Sequence, residues 1–115
     1  MSNGKKILDD SIDFIKEIFK EAWKYAKRIW VKIVNFFKNI VAWFKNKDRI
    51  KKLQEDKNKT AVIIKEKLDN GDYNVCNCLF DTETNTLDDS EIIQAENLDN
   101  DTKNKFGNQD MIILT

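Results

Sequence analysis

The chain has 115 residues, room for one small domain or for one long element with a very small domain attached. Its formal net charge of zero hides a split: residues 1–60 carry 16 Lys and Arg against 8 Asp and Glu, and residues 61–115 carry 4 against 12. The absence of His excludes the common Ser–His and Cys–His nucleophile pairs, and with two Cys a tetrahedral zinc site would need carboxylates or a second chain.

The amino terminus runs from Met1 through Lys5 and Lys6 into Asp9, Asp10 and Asp13. No compact apolar core follows the basic residues, so the segment does not read as a secretory signal. Position 2 is Ser2, where myristoylation needs Gly. The expected location is cytoplasmic, peripheral at the inner membrane face if the protein meets lipid, with Cys76 and Cys78 as reduced thiols.

From Ile7 to Phe44 the apolar pattern predicts one long amphipathic helix. Leu8, Ile12, Ile15, Phe19, Ala22, Ala26, Ile29, Ile33, Phe36, Ile40 and Trp43 recur in steps of four and three, as in a heptad seam. Flanking apolar residues widen this seam first on one side (Phe14, Ile18, Tyr25) and then on the other (Trp23, Trp30, Val34, Phe37). An eleven-residue frame absorbs that drift, aligning Ile7, Ile18, Ile29 and Ile40 on one side and Lys5, Lys16, Lys27, Lys38 and Arg49 on the other. Such a period describes a straight, broad-faced helix rather than a strict coiled coil. It would extend roughly 60 Å, longer than the remaining chain can cover.

The stretch between Arg28 and Lys45 is too short and too polar for a membrane span. A helix lying in the membrane interface fits the pattern, with Phe19, Trp23, Ile29, Trp30, Ile33, Phe37, Ile40, Val41, Trp43 and Phe44 as its apolar face. Lys16, Lys27, Lys38 and Arg49 would meet an anionic surface. The same face also suits a helix-on-helix core within an oligomer.

Past Phe44 the chain becomes densely charged, and Asn46 or Asp48 is placed to cap a fresh helix through Leu53. Residues 1–58 thus form a basic helical part with a charged tail, and 59–115 a small acidic α+β unit. In that unit the β-branched run Ala61–Ile64 favours a strand, although Thr60 and Gly71 would also bracket a helix over 61–68. Asn70-Gly71 is a tight-turn signal, followed by a central strand from Tyr73 to Phe80. A third strand is expected over Glu91–Glu96. Asp99 is positioned to cap a short helix reaching Phe106, Gly107 to end it, and Met111–Leu114 to close the sheet. The expected fold class is α+β: a long amino-terminal amphipathic helix followed by a small antiparallel sheet with one short helix.

No catalytic constellation emerges. Cys76 and Cys78 share one face of a strand and read as small packed side chains. Asp81, Asp88, Asp89 and Glu91 read as a solvated acidic turn. Asp99-Asn100-Asp101 opens like a calcium loop, but Lys103 and Asn104 break the pattern. Nucleic acid is not expected, because Arg occurs only at Arg28 and Arg49. The expectation is therefore a non-enzymatic protein without cofactor or metal, of the kind that Lys-rich bacterial or phage chains encode. Its partners would be an anionic membrane surface or other copies of itself, with an unknown protein on the acidic unit. The alternative is a soluble helix-mediated homo-oligomer.

Overall fold

The computed structural model describes Glu17 and residues 26–84 and 86–114, and it replaces the expected rod with a mixed sheet. Lys27–Val34 is a strand, β1, not the second half of a helix. Of the expected helix, Ile7–Tyr25 lies outside the described residues except for Glu17, which is helical and exposed. The error has a physical origin. Ile29, Val31, Ile33 and Val34 are β-branched and suit an extended backbone better than a helix. Alternation by two, with Ile29 and Val31 turned into the core, is present beneath the longer apolar period.

Asn35 stops the strand. Its backbone is extended (φ −101°, ψ 122°), its Oδ1 accepts the Lys38 N–H at 2.9 Å, and its own N–H donates to Asn39 Oδ1 at 2.7 Å. This reciprocal cap starts a π-helical turn, π1 (Phe36–Val41), which runs on into α1 (Ala42–Phe44). Asn46 then caps α2 (Lys47–Glu55), its Oδ1 accepting the Asp48 N–H at 3.0 Å. The fresh helix expected at this point is present.

Three strands follow: β2 (Lys59–Lys67), β3 (Tyr73–Asp81) and β4 (Thr86–Leu98). The helix weighed for 61–68 does not form. Between β2 and β3, Gly71 takes φ +92° and Asn70 Oδ1 accepts the Asp72 N–H at 2.9 Å, an Asx-type turn that needs this residue pair. Asp99 caps α3 (Asn100–Phe106), Gly107 ends it at φ +57°, and β5 (Met111–Leu114) completes the chain.

The strand order is β1-β4-β3-β2-β5. β2, β3, β4 and β5 pair antiparallel with their neighbours, and β1 pairs parallel with β4, in register Ile29↔Ile93 and Val31↔Ala95. The sheet is therefore mixed, not the small antiparallel unit expected, and it draws strands from both sides of position 58. Consecutive strands that are not neighbours in the sheet are joined by crossovers: π1, α1 and α2 carry the chain from β1 past β4 and β3 to β2, and α3 carries it from β4 past β3 and β2 to β5.

Both crossovers lie on one face. There Phe36, Ile40, Trp43, Phe44 and Phe106 pack with Ala61, Ile63, Val75, Leu79, Ile93 and Ala95 in the larger core. The alternate residues, Val62, Ile64, Cys76, Cys78, Phe80 and Ile92, form a second buried cluster on the opposite face. Asp99 joins the layers: its N–H donates to Val34 O at 2.9 Å, and its Oδ2 accepts the Phe36 N–H at 3.1 Å.

Candidate functional site

β1 is the edge of the sheet, paired among the described residues with β4 alone. The open side of an edge strand presents a row of backbone N–H and C=O groups without a sheet neighbour. Trp30, Ile33 and Phe37 are 60%, 51% and 60% exposed, and they are the exposed large apolar side chains among the described residues. Trp30 and Ile33 flank the neutral Gln94 and Asn97 of β4. Phe37 stands edge-on to the buried Phe36 ring, with centroids 5.5 Å apart, which holds it outward at the start of π1. Lys27, Lys32 and Lys38 are exposed along the same segment. The result is a short segment of exposed apolar side chains with cations interspersed, built on a strand and a helical turn; Trp30 and Ile33, three positions apart on β1, lie on opposite faces of the sheet.

The side chains expected to share one helix face are thus divided among several places. Phe19, Trp23 and Lys16 lie outside the described residues. Ile29 and Val41 are partly buried against the larger core, and Ile40, Trp43 and Phe44 are within it. Only Trp30, Ile33 and Phe37 remain outward. Of the expected cations, Lys27 and Lys38 are exposed on this segment, whereas Arg49 is turned inward on α2. Its Nε donates to Asp89 Oδ2 at 2.9 Å, its Nη1 donates to Trp43 O at 2.9 Å, and its guanidinium lies 3.9 Å over the Trp43 ring. That combination makes Arg49 a clamp between α2 and β4 rather than a free anion contact.

Arg49 belongs to a charged rim at the other end of the sheet. Lys52 Nζ lies 3.0 Å from Asp88, and Lys59 Nζ donates to Asp81 Oδ2 at 2.6 Å. The Lys59 ammonium and the N–H groups of Thr84 and Glu83 hold the Asp81 carboxyl down at about 2. The same hydrogen bond raises Lys59, against partial burial and with help from Asp88 and Asp56. Glu91 differs: burial pushes its carboxyl up, opposed by Lys27 and Arg49 and reinforced by Asp89. Across the sheet from it is the buried Asn77, whose Nδ2 donates to Asn39 O in π1 at 2.9 Å. Asn77 Oδ1 and Trp43 Nε1 are buried without hydrogen-bond partners.

The acidic residues expected to solvate a turn are therefore mostly engaged in ion pairs that tie α2 to β4 and β2 to β3. Among the described residues no group of His, Cys, Asp and Glu is arranged to hold a metal ion. Asp99 is held below the usual carboxylate range: burial raises it, but the Thr102 hydroxyl and the N–H groups of Thr102 and Phe36 outweigh that cost. It acts as a helix cap, as the expected capping role requires, not as the start of a cation loop. Cys76 and Cys78 are buried free thiols. The contact with Cys76, together with burial, pushes the Cys78 thiol well up, so Cys78 is not poised as a nucleophile.

No described helix is long and apolar enough to cross a membrane. Compared with protein families, with curated proteins and with solved structures, the chain matches none of them.

Proposed function

We propose that this chain is a non-enzymatic docking protein that meets an anionic membrane surface through its β1 edge. The observation that carries the reading is the exposure of Trp30, Ile33 and Phe37 on one short segment that also presents Lys27, Lys32 and Lys38. Trp and Phe seat in the headgroup boundary because their rings are apolar and, for Trp, the N–H can still reach a polar partner. Lysines beside them add about 1 kcal/mol each at an anionic surface. Removing the remaining apolar exposure of three half-exposed side chains adds roughly 1 kcal/mol each. The sum, about 6 kcal/mol, corresponds to weak, reversible binding of the order of tens of micromolar. An interfacial strand and turn thus replace the interfacial helix.

A second copy is the other reading, favoured by the open edge of β1. Antiparallel self-pairing along this edge would bring Lys27 and Lys32 of one chain towards those of the other. Like charges facing across paired strands are destabilising, and edge lysines commonly prevent such pairing. Charge therefore favours an anionic partner over another copy.

Flotation of the full chain with anionic and zwitterionic vesicles at low and moderate salt tests the reading. The expected result is binding to anionic vesicles that weakens as salt rises. Absence of binding at both salt levels rejects it, and a monodisperse dimer that ignores vesicles supports the second copy.

A further inference from the structure

We propose that Glu91 and Asn77 form a proton-operated latch on π1. A proton taken up by the Glu91 carboxyl is donated in a hydrogen bond to Asn77 Oδ1, which fixes Asn77 Nδ2 on the Asn39 carbonyl. Loss of that proton loosens the turn. Asn77 and Glu91 are directly opposite each other in the antiparallel β3–β4 ladder. Residues so paired point to one face with Cβ atoms about 5 Å apart, a gap that a Glu side chain spans. The face is the one beneath the crossovers: Val75 and Leu79, two positions either side of Asn77, and Ile93, two beyond Glu91, belong to the larger core. There Asn77 Nδ2 donates to Asn39 O at 2.9 Å, so a side chain from the middle of the sheet holds the backbone of π1.

The Asn39 contact sets the orientation of the amide. A carbonyl only accepts, so Nδ2 must face Asn39 O and Oδ1 must turn away. Asn77 is 0% exposed, and its Oδ1 has no hydrogen-bond partner. A buried acceptor left in this state is costly, and it lacks only a donor. An ionised Glu91 has none to offer. Its carboxylate repels Oδ1 and draws the amide round towards its own oxygens, away from Asn39 O. A protonated Glu91 reverses both effects, because its O–H supplies Oδ1 and its pull on Nδ2 falls.

The surroundings of Glu91 suit a group that titrates. Burial raises its carboxyl from 4.5, Lys27 on β1 and Arg49 on α2 oppose the rise, and Asp89 on β4 reinforces it. From β3 its neighbour is the neutral Asn77. Arg49 is committed to Asp89 Oδ2 and Trp43 O, and Lys27 is exposed, so burial prevails. Glu91 therefore takes up its proton at higher pH than Asp81 and Asp99, whose carboxyls are both lowered. The latch acts on the turn that carries Phe37 and Lys38, but it is a property of the fold and does not rest on vesicle docking.

Nuclear magnetic resonance of the full chain between pH 7 and pH 4.5 tests it, following the Glu91 carboxyl carbon and the Asn77 side-chain amide. Exchange of the Phe36–Val41 amides, corrected for its intrinsic pH dependence, reports the turn itself. The Asn77 signals should move with the midpoint of the Glu91 carboxyl. Protection of the turn should rise about fivefold towards pH 4.5, the worth of one hydrogen bond. Glu91→Gln is neutral and carries a donor for Oδ1 at every pH, so its turn should keep the higher protection throughout. Asp99, which also holds the Phe36 N–H, stays ionised over this range and is unchanged in the variant. Asn77 signals that stay still while Glu91 titrates overturn the proposal, as does a pH effect on the turn that persists in Glu91→Gln. The spectra of the parent protein decide the question independently if the variant unfolds.

Discussion

Removing the carboxylate of Asp99 should destabilise the protein more than any other single change at a helix end. Asp99 Oδ1 accepts from the Thr102 N–H at 2.9 Å and from the Thr102 hydroxyl, and Oδ2 accepts from the Phe36 N–H at 3.1 Å. One side chain thereby caps α3 and fixes the first residue of π1 against the end of β4. Asp99→Ala loses the cap, worth about 1 kcal/mol. It also strands the hydroxyl of Thr102, a residue that is 0% exposed, and leaves the Phe36 N–H unpaired, together about 1–3 kcal/mol. The expected loss is therefore about 2–4 kcal/mol, or a fall in Tm of roughly 10–15 °C for a chain of this size. Asp99→Asn keeps an acceptor for Thr102 but turns an amide towards the Phe36 N–H, so its loss should be intermediate. The carboxyl is lowered from 3.8 in the fold. Its contribution is consequently present above 3.8 and fades as pH falls through the lowered value, so the gap between Asp99→Ala and the parent protein should narrow in acid. Urea and thermal unfolding at pH 7 and pH 3 measure both effects. A loss below about 0.5 kcal/mol at pH 7 would refute the claim that Asp99 joins the two layers.

Other consequences follow from the rim and the core. Asp81 is lowered from 3.8 to about 2, so its share of stability should be lost as pH falls between those values, and Asp81→Asn should flatten the acid limb of a Tm-against-pH curve there. Glu91 is raised above 4.5, which reverses the sign: stability should fall as pH rises through its folded value. Glu91→Gln should therefore raise Tm at pH 7 and change it least near pH 4, as scanning calorimetry can check. Phe80, fully buried on the second face, should cost about 3–5 kcal/mol in urea unfolding when replaced by Ala, because the sheet cannot collapse into the space.

The carboxy-terminal half announced itself through local chemistry. Asp99, Phe106 and Gly107 mark a capped helix without reference to the rest of the fold, and Asn70-Gly71 marks the turn before β3. The β-branched run at Ala61–Ile64 and the two-sided apolar pattern of Tyr73–Phe80 are what buried strands require. Lys27–Phe44 misled because one apolar pattern satisfied two periods. Ile29, Ile33, Ile40 and Trp43 continue a helical spacing, yet Ile29 and Val31 also alternate. Parallel pairing with Ile93 and Ala95 decides between them, and no local window contains that long-range contact. Once the segment becomes β1, π1 and α1, its apolar residues no longer share a face, and Ile40, Trp43 and Phe44 turn into core. Asn35 carried a usable signal: an Asn followed four residues later by another Asn is placed to form a reciprocal cap that breaks a helix. The rim that joins Arg49 to Asp89 and Lys59 to Asp81 carried none, since its partners meet only through sheet register.

Docking through the β1 segment is tested most directly by flotation with anionic vesicles of the full chain beside the triple variant Trp30→Ala, Ile33→Ala, Phe37→Ala. These side chains are half or more exposed, so the variant should keep its fold and its Tm. It should lose about 3 kcal/mol of apolar contribution, roughly a hundredfold in partitioning. Vesicle binding that is undiminished in the triple variant would contradict the account.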